Sequence, residues 1–418
     1  MSKQKSFADI IQLLGPGLLF AGAAVGVSHL VQSTKAGAIY GFGLLLAVIV
    51  ANILKYPFFE FGTRYAMATG ENLVRGYKRQ GNWAFILFIV MTIGTMFTIQ
   101  AAVTIVTASL AVSLIGFFDI MTWCAVLLGV CMSLLLLGRY AILDNLMKII
   151  IIVLSLSTLF ALISILFLGT GVEKTADLKT FTWDTAGITF LIALMGWMPA
   201  PIDLSVWSSI WVLEKKKINK EVDFKSSLLD FNVGYIGTSI LAVCFLTLGA
   251  LVMYGTGEAP SEKGAVFAQQ LIDLYTTALG SWSKPIIAVA ALTTMFSTTL
   301  TCLDAFPRVL SEITFVLKPE YETTAKKQSY IFWIILVIVG ALLLLNLLQA
   351  QMGLMIKIAT ILSFLTAPFL AFLNYKLVTS QHIPTEAQPP KWLKYLSWAG
   401  FFFLSVFSVL FLYSQFMM

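Results

Sequence analysis

Eleven long apolar segments, each nearly free of charged side chains, follow one another along this 418-residue chain. Each segment is long enough to cross a hydrocarbon core of about 30 Å as an α-helix. Charged residues make up 11% of the chain, whereas soluble globular proteins contain about 25%. A transmembrane β-barrel would instead show alternating segments of about ten residues, and the sequence has none. These observations predict an all-α integral membrane protein.

The predicted membrane spans are numbered in chain order and form a single transmembrane domain, 1–418. They cover 12–34 (span 1), 40–66 (span 2), 83–113 (span 3), 119–137 (span 4), 140–169 (span 5), 183–212 (span 6), 227–255 (span 7), 284–306 (span 8), 329–348 (span 9), 353–377 (span 10) and 393–415 (span 11). Between spans 7 and 8, the stretch "GAVFAQQLIDLYTTAL" predicts a short helix on the outer surface.

The basic residues are concentrated on one side of the predicted membrane. With the N-terminus inside, the inner segments hold seventeen Lys and Arg residues and the outer loops hold five. Because cytoplasmic loops carry the excess of Lys and Arg, we predict a cytoplasmic N-terminus and an external C-terminus in a cell or inner membrane. The net charge of +6 therefore indicates topology and contact with the lipid bilayer, not nucleic-acid binding.

Two spans contain helix-breaking residues at membrane depth. Span 1 contains "GAAVGVSH", and span 6 contains "ALMGWMPAPID". Proline removes a backbone donor and glycine weakens a helix. Free backbone groups within a membrane are tolerated only where they line a cavity or pack against protein. The alternative is that both segments are ordinary kinks.

The first and sixth spans are equivalent positions in two halves of five helices. We therefore predict two inverted repeats, 12–169 and 183–377, with 393–415 as an additional helix. Secondary transporters with this organisation bind their substrate between the two broken helices. A channel or a sensor on the same scaffold is an alternative from another functional class.

Several short motifs resemble the divalent-metal transporters of the Nramp family. They are Gly15-Pro16-Gly17, Ala36-Gly37-Ala38, Tyr40-Gly41-Phe42, Ala51-Asn52 and Met198-Pro199. The resemblance covers essentially the whole chain. It implies a LeuT-type fold and transport of a metal ion.

The family's metal-site motif in span 1, Asp-Pro-Gly-Asn, falls on Gly26, Val27, Ser28 and His29. The chain therefore lacks the aspartate of that motif and has an imidazole at the asparagine position. Neutral imidazole and thioether suit Cu(I), Zn²⁺ or Cd²⁺ better than Mn²⁺, and they suit Mg²⁺ or Ca²⁺ poorly.

In span 6 the family has Ala-x-x-Met-Pro-His, which falls on Met195, Met198 and, for the histidine, Ala200. The family's acidic pair in span 3 falls on Gln100 and Val103. A proton relay needs a chain of titratable groups, so these differences predict transport without obligatory proton symport. The alternative is a single proton site at His29, because imidazole titrates near neutral pH.

These considerations define the predicted site. The substrate-binding residues are Gly26, Ser28, His29, Met195, Met198 and Ala200, with His29 and Met198 as metal ligands. Possible supporting residues are Gln100, Asp203, Thr360 and Lys357. For Asp203 we favour a cap on the resumed helix of span 6 over a cavity-facing carboxylate.

The same residues leave a second substrate class open. Without the aspartate the site is less negative, and helices that restart after a break direct their positive N-terminal ends at the cavity. Bicarbonate, a small carboxylate or an amino acid would then suit the site better than a bare dication.

The other charged residues within the spans predict structural ion pairs, with a role in gating as the alternative for the pairs in spans 2 and 5. These are Lys55 with Glu60, Asp144 with Lys148, and Asp304 with Arg308. The chain has no nucleotide-binding motif and no recognisable catalytic set, so we expect neither an enzyme nor a bound cofactor. The four cysteines lie within apolar segments and are expected to be small core residues.

Overall fold

The computed structural model describes residues 15–138, 140–169, 174 and 178–417. The α-helices of this part of the chain are Pro16–Ala24 (α1), Thr34–Tyr40 (α2), Leu45–Thr69 (α3), Leu73–Gln80 (α4), Asn82–Leu114 (α5), Ile120–Leu136 (α6), Tyr140–Leu168 (α7), Thr185–Gly196 (α8), Leu204–Ile218 (α9), Phe224–Val252 (α10), Gly264–Leu279 (α11), Lys284–Leu317 (α12), Glu320–Thr324 (α13), Lys326–Leu347 (α14), Met352–Val378 (α15) and Lys391–Met417 (α16).

A helix lies at each predicted span. Eight helical segments of the described chain are long and apolar enough to cross a membrane, and spans 4, 5 and 6 contain shorter apolar helices. Span 8 continues to Leu317, beyond the predicted end at 306. Its last turns hold Asp304 and Arg308, which lower the local hydropathy but pair with each other at i,i+4.

Both predicted breaks are present. Span 1 consists of α1, a π-helical stretch over Val27–Ser33 and then α2. Span 6 consists of α8 and α9, separated by 197–203, where the Met198–Pro199 peptide bond is cis. The glycines and prolines in these segments thus end regular α-helix in the middle of each span.

The broken span 1 lies at the centre of the helix bundle. It packs against spans 6, 7 and 8, and most of its residues are buried. Spans 9 and 11 are far less buried and present large apolar side chains on the outside, as expected for helices that contact lipid. The site is therefore held inside a shell of continuous helices.

The start of α1 is fixed by an acidic residue on span 7. The Asp230 carboxylate accepts hydrogen bonds from the backbone N–H groups of Gly15 (3.0 Å) and Gly17 (2.9 Å). These N–H groups belong to the first helical turn, where no intrahelical acceptor exists. Asp230 therefore anchors the half-helix that leads into the first break.

Three short α-helices of the described chain, α4, α11 and α13, lie outside the spans. The predicted helix between spans 7 and 8 is α11, which buries Phe267, Leu271 and Tyr275 against spans 3 and 5. Helix α4 was not predicted, because eight residues are too few for a clear apolar period. Its first turn is capped by Asn72, whose side chain accepts from the Arg75 N–H group.

Candidate functional site

A small enclosed cavity of about 20 Å³ lies between the two breaks. This volume holds about one water molecule. Spans 1, 3, 6 and 8 line the cavity with Ala23, Ala24, Val27, Ser28, Ile99, Val103, Trp197, Ala200, Pro201, Leu204, Trp207, Thr298 and Cys302. Two of the predicted binding residues, Ser28 and Ala200, lie in this lining.

Gly26 allows span 1 to approach span 8 closely. A Cβ atom at this position would lie 2.6 Å from the Thr298 hydroxyl oxygen, which is far below van der Waals contact. The same hydroxyl donates to the Gly22 carbonyl at 3.1 Å. At the position of the family's aspartate, the chain thus has a close contact between two helices.

His29 lies beside the cavity lining but is held by protein groups. Its Nε2 atom is 2.9 Å from the Thr238 carbonyl oxygen on span 7, and its Nδ1 atom is 2.7 Å from the Ser28 hydroxyl. The Nδ1 atom is also 3.0 Å from the Ala24 carbonyl oxygen, to which the Ser28 hydroxyl donates at 2.6 Å. A neutral imidazole has one N–H group and can donate to only one of the two carbonyl oxygens that face its ring nitrogens. His29 is fully buried and does not line the cavity, so neither ring nitrogen is available to a metal ion in this conformation.

Met198 also does not lie where the predicted role as a metal ligand requires it. Its sulfur accepts a hydrogen bond from the Ser33 hydroxyl at 3.8 Å, and the residue does not line the cavity. His29 and Met198 therefore do not converge on the cavity between the breaks. Among the described residues, no group of three or more His, Cys, Asp or Glu side chains could hold a metal ion.

The segment that interrupts span 6 is occupied by a lysine from span 2. The Lys55 ammonium donates to the carbonyl oxygens of Met195 (3.1 Å), Gly196 (3.0 Å) and Ala200 (2.8 Å). The helix break ends the regular intrahelical hydrogen bonding of these carbonyl groups, although the Met195 carbonyl also accepts from the Met198 N–H group at 3.3 Å. The predicted pairing of Lys55 with Glu60 is wrong, because the Glu60 carboxylate instead binds Arg64 at 2.6 Å.

Asp203 lies immediately before α9 but does not cap it. Its side chain makes no capping hydrogen bond, so the capping interpretation is wrong. The carboxylate is buried, and its Oδ1 atom is 3.5 Å from the Thr95 hydroxyl on span 3. Its Oδ2 atom has no hydrogen-bond partner within the described part of the chain. A buried carboxylate in this state is a candidate functional group.

The remaining supporting residues occupy three different places. Gln100 is buried and donates to the Thr299 carbonyl oxygen on span 8 at 3.3 Å. Thr360 lies on span 10, and its backbone oxygen packs against Gly196. Lys357 is exposed and lines a separate cavity of about 570 Å³ at the predicted external side.

An ion pair lies in the lining of that larger cavity. Lys35, counted from the sequence as a loop residue, lies in α2 and binds Glu262 at 2.8 Å. Of the other predicted pairs, Asp304 and Arg308 are confirmed at 2.7 Å. The side chains of Asp144 and Lys148 lie outside the described ones. The four cysteines are free and buried, as expected.

Comparison with known proteins identifies the family. The family model "Natural resistance-associated macrophage protein-like" (Nramp) matches residues 17–414. The chain belongs to the Nramp family. An uncharacterized protein of Pasteurella multocida is 38% identical to it over 96% of this chain and 92% of its own length. The divalent metal cation transporter MntH of Listeria monocytogenes is 23% identical over 98% of this chain and 91% of its own length.

Solved structures confirm the LeuT-type fold. A manganese transporter of Eremococcus coleocola superposes with a TM-score of 0.68 at 17% identity, and the match covers 99% of this chain and 89% of the transporter. MhsT in complex with L-phenylalanine gives a TM-score of 0.64 at 14% identity, with 96% of this chain and 98% of MhsT covered. The fold thus accommodates both a manganese transporter and a protein bound to an amino acid.

Sequence reasoning missed the contact between Lys55 and span 6. A lone lysine in the middle of an apolar span is a functional signal, because burying a charge in a membrane is costly. The partner could not be inferred from spacing, since the three carbonyl groups lie at least 140 residues away in the chain.

Proposed function

We propose that this Nramp-family protein is a secondary transporter that carries a metal ion by alternating access through the cavity between its two breaks. The observation that carries this proposal is the pair of interrupted helices around an enclosed central cavity. Such discontinuous helices supply free backbone groups for a substrate at membrane depth. The chain is an integral membrane protein, and we propose no enzymatic activity.

We propose that the cargo contacts residues of the cavity lining and does not contact His29 or Met198. Ser28, Ala200 and Thr298 lie in that lining, and hydroxyl and carbonyl oxygens are the polar atoms such residues offer. The site is less acidic than the family motif, because Gly26 replaces its aspartate. Asp203 is the acidic group closest in sequence to the second break, and its Oδ2 atom lacks a partner among the described residues.

We also propose that transport proceeds without obligatory proton symport. Gln100 and Val103 stand where the family motif has acidic residues, and neither side chain titrates. His29 is engaged at both ring nitrogens by protein oxygens. For orientation, we retain a cytoplasmic N-terminus and an external C-terminus, on the charge distribution of the loops.

A second candidate cargo is a small uncharged or anionic solute, and the position of Lys55 favours it. At an effective dielectric constant of about 20, a dication about 5 Å from the ammonium would meet about 7 kcal/mol of repulsion. The negative charge of Asp203, which interacts electrostatically with Lys55, would offset part of that repulsion. The two charges together leave the site near neutral, which suits a cargo without a net positive charge.

Uptake into proteoliposomes tests the proposal and separates the two cargo classes. Mn²⁺, Zn²⁺ and Cd²⁺ are supplied with and without a pH gradient, and protein-free liposomes give the background. We expect saturable metal uptake that persists without the gradient. Uptake only with an inward proton gradient would contradict uncoupled transport, and no saturable uptake of any of the metals would exclude the metal cargo.

A further inference from the structure

We propose that Lys55 is a built-in cation that occupies the carbonyl groups of the second break and excludes divalent cations from them. Lys55 would then be a specificity-determining residue of the cargo site. This inference rests on the proposed function, because it concerns the site between the two breaks. It identifies the group with which an incoming metal ion must compete.

The contacts of Lys55 are those of a bound cation. An ammonium group has three donors and no acceptor, and here each donor meets one carbonyl oxygen at 2.8–3.1 Å. All three carbonyl groups belong to the end of α8 and the break that follows it. The side chain is fully buried, so no solvent competes for these bonds. A second cation at the same oxygens would be repelled by the ammonium charge at close range.

Asp203 provides the compensating charge for this internal cation. It follows the same break, is buried, and retains an Oδ2 atom without a partner in the described part of the chain. Glu60, the acidic residue paired with Lys55 in the sequence analysis, is engaged by Arg64. Removal of the Lys55 charge would therefore leave one buried carboxylate and three carbonyl oxygens in one region. Oxygen ligands of this kind suit Mn²⁺.

Two outcomes follow for the transport cycle. A cation can be bound at the second break only after Lys55 withdraws from the carbonyl groups. A neutral cargo, in contrast, can enter the cavity while Lys55 remains in place. Lys55 thus sets which class of cargo binds at the second break.

Direct binding of Mn²⁺ to the purified full-length protein tests this inference. Free Mn²⁺ is measured by electron paramagnetic resonance in a titration with the protein in detergent. We expect Lys55→Met to bind Mn²⁺ at least tenfold more tightly than the unsubstituted protein. Adding Asp203→Asn to Lys55→Met should remove that gain, and Lys55→Arg, which retains the charge, should not show it.

Equal Mn²⁺ affinity of Lys55→Met and the unsubstituted protein would overturn the inference. So would a gain that persists in the double variant. Monodispersity and thermal unfolding are compared for all variants, and if Lys55→Met does not fold, Lys55→Gln replaces it with the same expectations. The readout is binding and not transport, so failure here leaves the uptake experiment as a separate test of the proposed function.

Discussion

The anchor of α1 gives the sharpest prediction of stability. The Asp230 carboxylate uses both oxygens, one for the Gly15 amide at 3.0 Å and one for the Gly17 amide at 2.9 Å. In Asp230→Asn one oxygen remains, and the new NH₂ group faces a backbone N–H donor. One hydrogen bond to a charged acceptor contributes about 1.5–3 kcal/mol, and the favourable charge at the helix N-terminus adds about 0.3–1 kcal/mol. We therefore expect Asp230→Asn to lower the free energy of unfolding by about 2–4 kcal/mol.

A matched control is available at the start of α10, the helix that carries Asp230. Asp223 is exposed and caps the helix through its Oδ1 atom, which accepts from the Ser226 amide at 2.7 Å. Because this cap is in contact with solvent, Asp223→Asn should cost less than about 1 kcal/mol. Both variants are unfolded by titration with sodium dodecyl sulfate and followed by circular dichroism. A loss for Asp230→Asn no larger than that for Asp223→Asn would refute the reasoning.

Three further substitutions probe the surroundings of the site. Gly26→Ala should lower the free energy of unfolding by about 1–3 kcal/mol, because the added Cβ atom would lie 2.6 Å from the Thr298 hydroxyl oxygen. An unchanged thermal unfolding midpoint would contradict this close contact. Arg64→Met leaves the buried Glu60 without its partner and should cost about 3–5 kcal/mol, again measured by detergent titration. His29→Ala should destabilise the protein but leave the Michaelis constant for metal uptake within about twofold. A loss of metal affinity of about tenfold or more would instead identify His29 as a metal ligand.

The fold could be predicted from the sequence because its determinants are local. Long apolar segments identify the spans, and the glycine and proline residues near Gly26 and Pro199 identify the breaks. The end of span 8 was misjudged for an equally physical reason. Hydropathy falls at Asp304 and Arg308, yet their pairing allows the helix to continue to Leu317.

The site was harder to predict because its contacts join distant parts of the chain. The residues of the first break were found by resemblance, but the resemblance gives positions and not side-chain directions. His29 turns towards the Thr238 carbonyl on span 7, and nothing near it in the sequence indicates this. Asp203 precedes a helix as a capping residue would, yet its carboxylate lies by Thr95 on span 3.

The central claim is that cargo passes through the cavity between the two breaks. A pair of identical substitutions on span 3 tests it most directly. Val103 lines the cavity, whereas Val90 on the same helix is 61% exposed at the lipid-facing surface. In metal uptake into proteoliposomes, Val103→Phe should reduce the saturable rate at least tenfold, because the ring fills a cavity of about 20 Å³. Val90→Phe should transport like the unsubstituted protein, and equal rates for Val103→Phe and the unsubstituted protein would contradict the account.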